Sequence, residues 1–96
     1  MDKIIKTNTK MKTIDLSKVK LQMVDSSEKE YDLSKELAEV IFQNTQSIPE
    51  HNFALELYKN PVLELSDENK AIIEAYIKKY FKAFVQVAVT KLLNEK

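Results

Sequence analysis

A chain of 96 residues without a single glycine has to turn, cap and bend using side chains that all carry a Cβ. Average usage near 7% would give about seven glycines in this length. The absence excludes the glycine-rich turns in which backbone closely approaches a phosphate, so neither a dinucleotide fingerprint nor a P-loop is available. Cysteine and arginine are missing too. With them go a thiol nucleophile, a soft metal ligand and a bidentate guanidinium clamp. These gaps point away from an enzyme and away from any cofactor or metal. What remains is a lysine- and glutamate-rich soluble chain with 44% hydrophobic and 31% charged residues. That composition suits one small domain with one core.

Net charge is zero but unevenly spread. Residues 1–24 carry +4, residues 25–68 carry −8 and residues 69–96 carry +4. Segments of opposite sign pair within a domain or orient it against another chain. The start, Met1-Asp2-Lys3-Ile4-Ile5-Lys6, lacks the apolar run of a secretory signal, and no stretch is long and apolar enough for a membrane span. A cytoplasmic location is the default.

Residues 1–12 read as a flexible basic arm ahead of a single domain over 13–96. Val19, Leu21 and Met23 alternate with Lys20 and Gln22, as in a half-buried strand. After the polar Asp25-Ser26-Ser27-Glu28-Lys29, Glu30-Tyr31-Asp32-Leu33 returns as the second strand. The hairpin needs a longer loop because Asn-Gly and Asp-Gly turns are unavailable. Leu33, Leu37, Val40 and Ile41 then follow helical spacing from Asp32 or Ser34 to about Asn44. Ser47-Ile48-Pro49-Glu50 has capping-box spacing for a second helix that stops before Pro61. Val62-Leu63-Glu64-Leu65 reads as an extended connector that could pair with the hairpin. Ser66-Asp67-Glu68 opens a third helix, with a serine cap and two acids in the first turn. Its periodicity predicts about 28 residues, or roughly 42 Å, to Asn94. The β-branched alternation Val85-Val87-Val89 also suits a strand, but its flanks favour helix. The expected fold is therefore α+β and mainly α: an N-terminal β-hairpin followed by three helices, the last one long.

Isolated chemical groups carry little. His51 is the only histidine, beside Glu50 and Asn52, and a lone imidazole with no cysteine and no second histidine is a poor metal candidate. Asp25, Glu28, Glu30, Asp32, Glu36 and Glu39 crowd one hairpin and one helix start, where solvation and capping account for them. Lys78, Lys79 and Lys82, with Tyr76 and Tyr80, make a basic-aromatic patch suited to nucleic-acid contact. The stronger constellation is apolar. Ile73, Ile77, Tyr80, Phe84 and Val87 follow the 4-3-4-3 spacing of a coiled-coil-like seam. Phe81, Val85, Ala88 and Leu92 add a second stripe. A helix apolar on several sides has to be surrounded, either by its own domain or by another subunit.

The order of Leu37-Ala38-Glu39-Val40-Ile41, Phe53-Ala54-Leu55-Glu56-Leu57-Tyr58-Lys59 and Leu65-Ser66-Asp67-Glu68 with Ala71-Ile72-Ile73 resembles a group of small proteins encoded by phages and prophages. The resemblance covers residues 19–93. It lacks the turn glycines of that pattern and carries over no catalytic residues. It implies a phage-related accessory or assembly protein, in the cytoplasm of a host cell or in the virion. Residues and resemblance together lead to a protein-interaction module acting through its last helix, as a homo-oligomer or with a partner protein. The alternative is a nucleic-acid accessory protein using the lysine arm and the Lys78/Lys79/Lys82 patch.

Overall fold

A computed structural model describes residues 12–94; all of the basic arm expected at 1–12 except Lys12 lies outside the described residues. The element order is β1 (Lys12–Asp15), β2 (Val19–Gln22), β3 (Glu28–Tyr31), α1 (Ser34–Asn44), α2 (Ile48–Lys59), β4 (Val62–Leu65), α3 (Asp67–Tyr80) and α4 (Ala83–Asn94). The architecture is α+β and mainly α, with two separate two-stranded antiparallel sheets, β1–β4 and β2–β3. The first hairpin strand appears where alternation places it, with Val19 and Leu21 buried and Lys20 and Gln22 exposed. The returning strand is Glu28–Tyr31 rather than Glu30–Leu33, because the turn closes between Met23 and Ser27 and Asp32 accepts from the Ser34 N–H at the start of the next helix instead. The connector at 62–65 is a strand, but it pairs with β1 in the register Lys12↔Leu65 to Asp15↔Val62 rather than with the hairpin.

Leu16 joins the two sheets. Its N–H donates to the Pro61 carbonyl at 3.0 Å, and its own carbonyl accepts from the Leu33 N–H at 2.9 Å. Its side chain is fully buried. Around it lie Ile14, Val19, Leu21, Leu33, Leu37 and Ile41, continuing through Ala54, Leu57, Ile73 and Ile77 to Val85, Val89 and Leu93. One core therefore draws on both sheets and all four helices.

The chain solves its lack of glycine with short side chains that bond two residues ahead. Asp15, Asp25 and Asp32 each accept from the N–H and the hydroxyl of the serine two positions on, at 2.9 and 2.6, 3.0 and 2.6, and 3.0 and 2.6 Å. Asn60 and Thr45 do the same for the N–H groups of Val62 and Ser47. These Asx and ST turns mimic a backbone turn without a positive φ. Ser26 is the exception, at φ 73° in the hairpin loop. A left-handed residue with a Cβ costs about 1–2 kcal/mol that glycine would avoid.

The Ser17 hydroxyl, and then its N–H, hold the Asp15 carboxyl below its ordinary 3.8. A depressed carboxyl stabilises the fold above the unfolded value, and that contribution is lost as pH falls through the folded value. Ser17→Ala is therefore expected to be less stable than the parent at neutral pH, with the gap closing in acid. Urea unfolding across pH checks this; a gap independent of pH counts against the turn's electrostatic role.

The helix caps follow the serines. Ser47 and Ser66 accept from the N–H of Glu50 and Asn69, at 3.4 and 3.1 Å. The capping box at Ser47 is only half closed, because the Glu50 carboxylate turns elsewhere. It accepts from the Thr45 hydroxyl at 2.7 Å and the Tyr76 phenol at 2.8 Å, tying α2 to α3. Burial, reinforced by Glu50, pushes the Tyr76 phenol above 10.0.

The long final helix predicted from periodicity is two helices. Phe81 is extended at φ −116°, ψ 157°, which ends α3 after 14 residues and lets the 12-residue α4 start anew. Neither proline nor glycine marks the break. Burial drives it: a straight rod would carry Val85, Val89 and Leu93 away from the core, whereas the turned α4 packs on β2 and α3 and buries all three. Gln86 closes the joint, its amide donating to the Phe81 carbonyl at 2.9 Å and to the Lys78 carbonyl at 3.4 Å. Residues 85–90 are helical, so tertiary packing overrides their β-branched propensity.

Candidate functional site

The break divides the seam expected over Ile73, Ile77, Tyr80, Phe84 and Val87. Ile73 and Ile77 face inward as core residues, at 0% and 3% exposure. Tyr80, Phe84 and Val87 remain outside, at 41%, 41% and 67%. The five do not form one interface stripe. The second stripe is largely covered, with Val85 buried and Phe81, Ala88 and Leu92 half-buried against the core.

Phe84 and Val87, but not Tyr80, border a groove of about 620 Å³ between α4 and the β2–β3 hairpin. Phe84, Val87, Ala88, Lys91 and Leu92 line one wall. Their spacing of three and four residues places them on one helical face. Lys18, Lys20 and Gln22 line the other wall, alternating along one face of the strand, with Glu28 at the hairpin's far end. The groove therefore combines an apolar shelf with three ammonium groups and a single carboxylate. None of the hydrogen bonds among the described residues uses the Lys20 or Lys91 ammonium. Lys18 lies close enough to help depress Asp15. No local signal could have marked this site, because its walls come from segments more than 50 residues apart and meet only through the fold.

The lysines proposed for nucleic acid are explained in part by a helix end. Lys78 and Lys79 occupy the last turn of α3, where the dipole favours cations. The Lys79 ammonium stands 5.5 Å from the centre of the Tyr80 ring, which itself stacks on Tyr76 at 5.8 Å. Lys82 sits in the joint between helices and is exposed. Of the basic arm, only Lys12 is described. It belongs to β1, and its ammonium donates to the Leu92 carbonyl at 2.7 Å near the end of α4.

The His51 ring lies tilted by 34° against Phe42 with ring centres 5.2 Å apart, and its Nδ1 is 3.3 Å from the Asn52 amide oxygen. No group of three or more acidic or histidine side chains converges on a possible metal position among the described residues. The acidic residues of the hairpin are spread over turns and caps, and Glu36 accepts a hydrogen bond from the Tyr31 phenol. A second depression of about 350 Å³ is lined by Phe53, Leu57 and Val62 together with Asn52, Asn60 and Asn69. Asn60 and Asn69 already bond the Val62 N–H and the Glu64 carbonyl. No described helix is long and apolar enough to cross a membrane.

Comparison with protein families, with characterised proteins and with solved structures finds no match to this chain.

Proposed function

We propose that this chain is a non-enzymatic protein-interaction module whose contact face is the outer side of α4. The observation that carries this reading is the exposure of Tyr80, Phe84 and Val87 on helices whose other apolar residues are largely packed inside. Apolar side chains clustered beside a basic groove gain roughly 25 cal/mol for each Å² removed from water. Large exposed apolar patches mark contact sites. The resemblance of residues 19–93 to small phage-encoded proteins supplies the setting, an accessory or assembly role in a host cell or a virion. Self-association is the direct form of the reading.

Light scattering over a dilution series tests it. The mass of the parent chain is expected to rise above the 11.2 kDa monomer with concentration. Phe84→Ser with Val87→Asp is expected to remain monomeric while keeping its helical circular dichroism. A parent chain that stays monomeric throughout removes self-association through α4.

Nucleic-acid contact is the second reading, supported by the exposed Lys79 over Tyr80 and the neighbouring Lys78 and Lys82. Binding of labelled DNA at micromolar protein that weakens steeply with salt would favour it. Salt-independent or absent binding ends it.

A further inference from the structure

The groove beside α4 has two chemically different linings. Half-buried Ala88 and Leu92, with the exposed Phe84 and Val87, give it an apolar side of about two helical turns, or roughly 12 Å. On the hairpin side, exposed Lys18 and Lys20 are two residues apart at the entry to β2, so their Cα atoms are at most roughly 7 Å apart. Lys91 adds a third ammonium from α4, and Glu28 is the single carboxylate in the lining. Glu30 lies across the ladder from Lys20. Among the described residues, however, neither Lys20 nor Lys91 makes a hydrogen bond or an ion pair.

Such a groove selects an occupant that is apolar along one side and negative along its flanks. A small anion would leave Phe84 and Val87 in water. An amphiphile with one carboxylate would answer one or two of three ammonium groups that stand on both sides of the groove. The α4 helix of a second copy offers Lys91 and no carboxylate, and the other helices keep most of their apolar stripes in their own core. An amphipathic helix with acidic flanks meets every requirement. Its apolar residues recur at i, i+3, i+4 and i+7, the spacing and length of the wall from Phe84 to Leu92. Its glutamates at i and i+4 stand about 5–6 Å apart, within reach of both Lys18 and Lys20. We infer that the groove between α4 and the hairpin receives an acidic amphipathic helix of another protein, with its apolar stripe on α4 and its carboxylates at Lys18, Lys20 and Lys91. This rests on the α4 contact face proposed above and assigns the chemistry of its partner. Because self-association covers the same Phe84 and Val87, the incoming helix competes with it.

Three labelled synthetic peptides test the assignment by fluorescence anisotropy, at protein concentrations where light scattering shows a monomer. The first is a helix with leucines at i, i+3, i+4 and i+7 and glutamates on its flanks. The second replaces those glutamates by lysine, and the third scrambles the first so that its residues no longer segregate. The first is expected to bind at least tenfold more tightly than either control, and to weaken as salt is added. Lys20→Gln combined with Lys91→Gln is expected to lose about tenfold in affinity for it without placing a carboxylate opposite Glu30. Val87→Asp is expected to abolish the binding. All three positions are exposed, and thermal unfolding confirms that the variants are folded. Equal binding of the acidic and lysine peptides overturns the assignment, as does full affinity in the double glutamine variant. A scrambled peptide that binds as well as the helix reduces the contact to charge alone and overturns it too. If dodecanoate displaces the helix and binds with the same dependence on Lys20 and Lys91, the groove belongs to a single-headed amphiphile instead. A parent that binds none of the peptides yet self-associates through Phe84 and Val87 overturns the acidic helix and leaves the α4 face standing. If Val87→Asp alters neither peptide binding nor self-association, the α4 reading itself falls.

Discussion

Leu16→Ala is expected to destabilise the chain by about 2–5 kcal/mol, the range for truncating a fully buried leucine. The residue is 0% exposed. It lies where the β1–β4 ladder ends and the path to the hairpin begins, with its N–H on Pro61 and its carbonyl on Leu33. The backbone bonds survive the substitution, but the side chain that fills the space between the two sheets does not. Two-stranded sheets are marginal alone and rely on what packs against them. A small domain has roughly 5–15 kcal/mol in total, so the loss removes a large share of it. Urea unfolding should show a lower midpoint with an unchanged slope if the two sheets melt as one unit. A shallower slope would mean that they come apart separately. A loss below about 1 kcal/mol would contradict the central place assigned to Leu16.

What the sequence made legible is local. The serine caps at Ser47 and Ser66 were readable because an N-cap is a short-range bond between a hydroxyl and an N–H three residues on. The hairpin strand at Val19–Gln22 was readable because a period of two survives in four residues. The recurring Asp-x-Ser at 15–17, 25–27 and 32–34 was present in the chain as a turn signal, yet its residues look like ordinary polar loop composition until the serine N–H groups are seen on the carboxylates. The pairing of Lys12–Asp15 with Val62–Leu65 was not legible, since nothing in either tetrapeptide specifies a partner about 50 residues away.

The same distinction governs the last helix. Periodicity counted apolar positions correctly but could not tell which of them the rest of the fold would cover. A break at Phe81 has no proline or glycine to announce it; it exists because α4 gains burial on β2 by turning. The groove depends on that turn, so it too was invisible before the fold was known. Much of the apolar excess that pointed to a companion molecule is covered internally, and the surface left for a partner is smaller and more basic than the seam implied.

Ile73 and Val87 give that difference its sharpest test, because the sequence treats them as equal members of one seam. Ile73 is fully buried, and Ile73→Ala is expected to cost about 2–5 kcal/mol through lost burial and the cavity left behind. Val87 is 67% exposed, and Val87→Ala is expected to stay within roughly 0.5 kcal/mol of the parent. Alanine's better helix propensity offsets part of the small loss of contact. Unfolding measured at low protein concentration separates the two, since association then adds nothing to stability. Repeating the measurement at high concentration should open a gap for Val87→Ala, because a surface that shields this side chain stabilises only the parent. Equal costs for the two substitutions in the monomer would restore a single continuous stripe and remove the break at Phe81 as the feature that sorts core from contact surface.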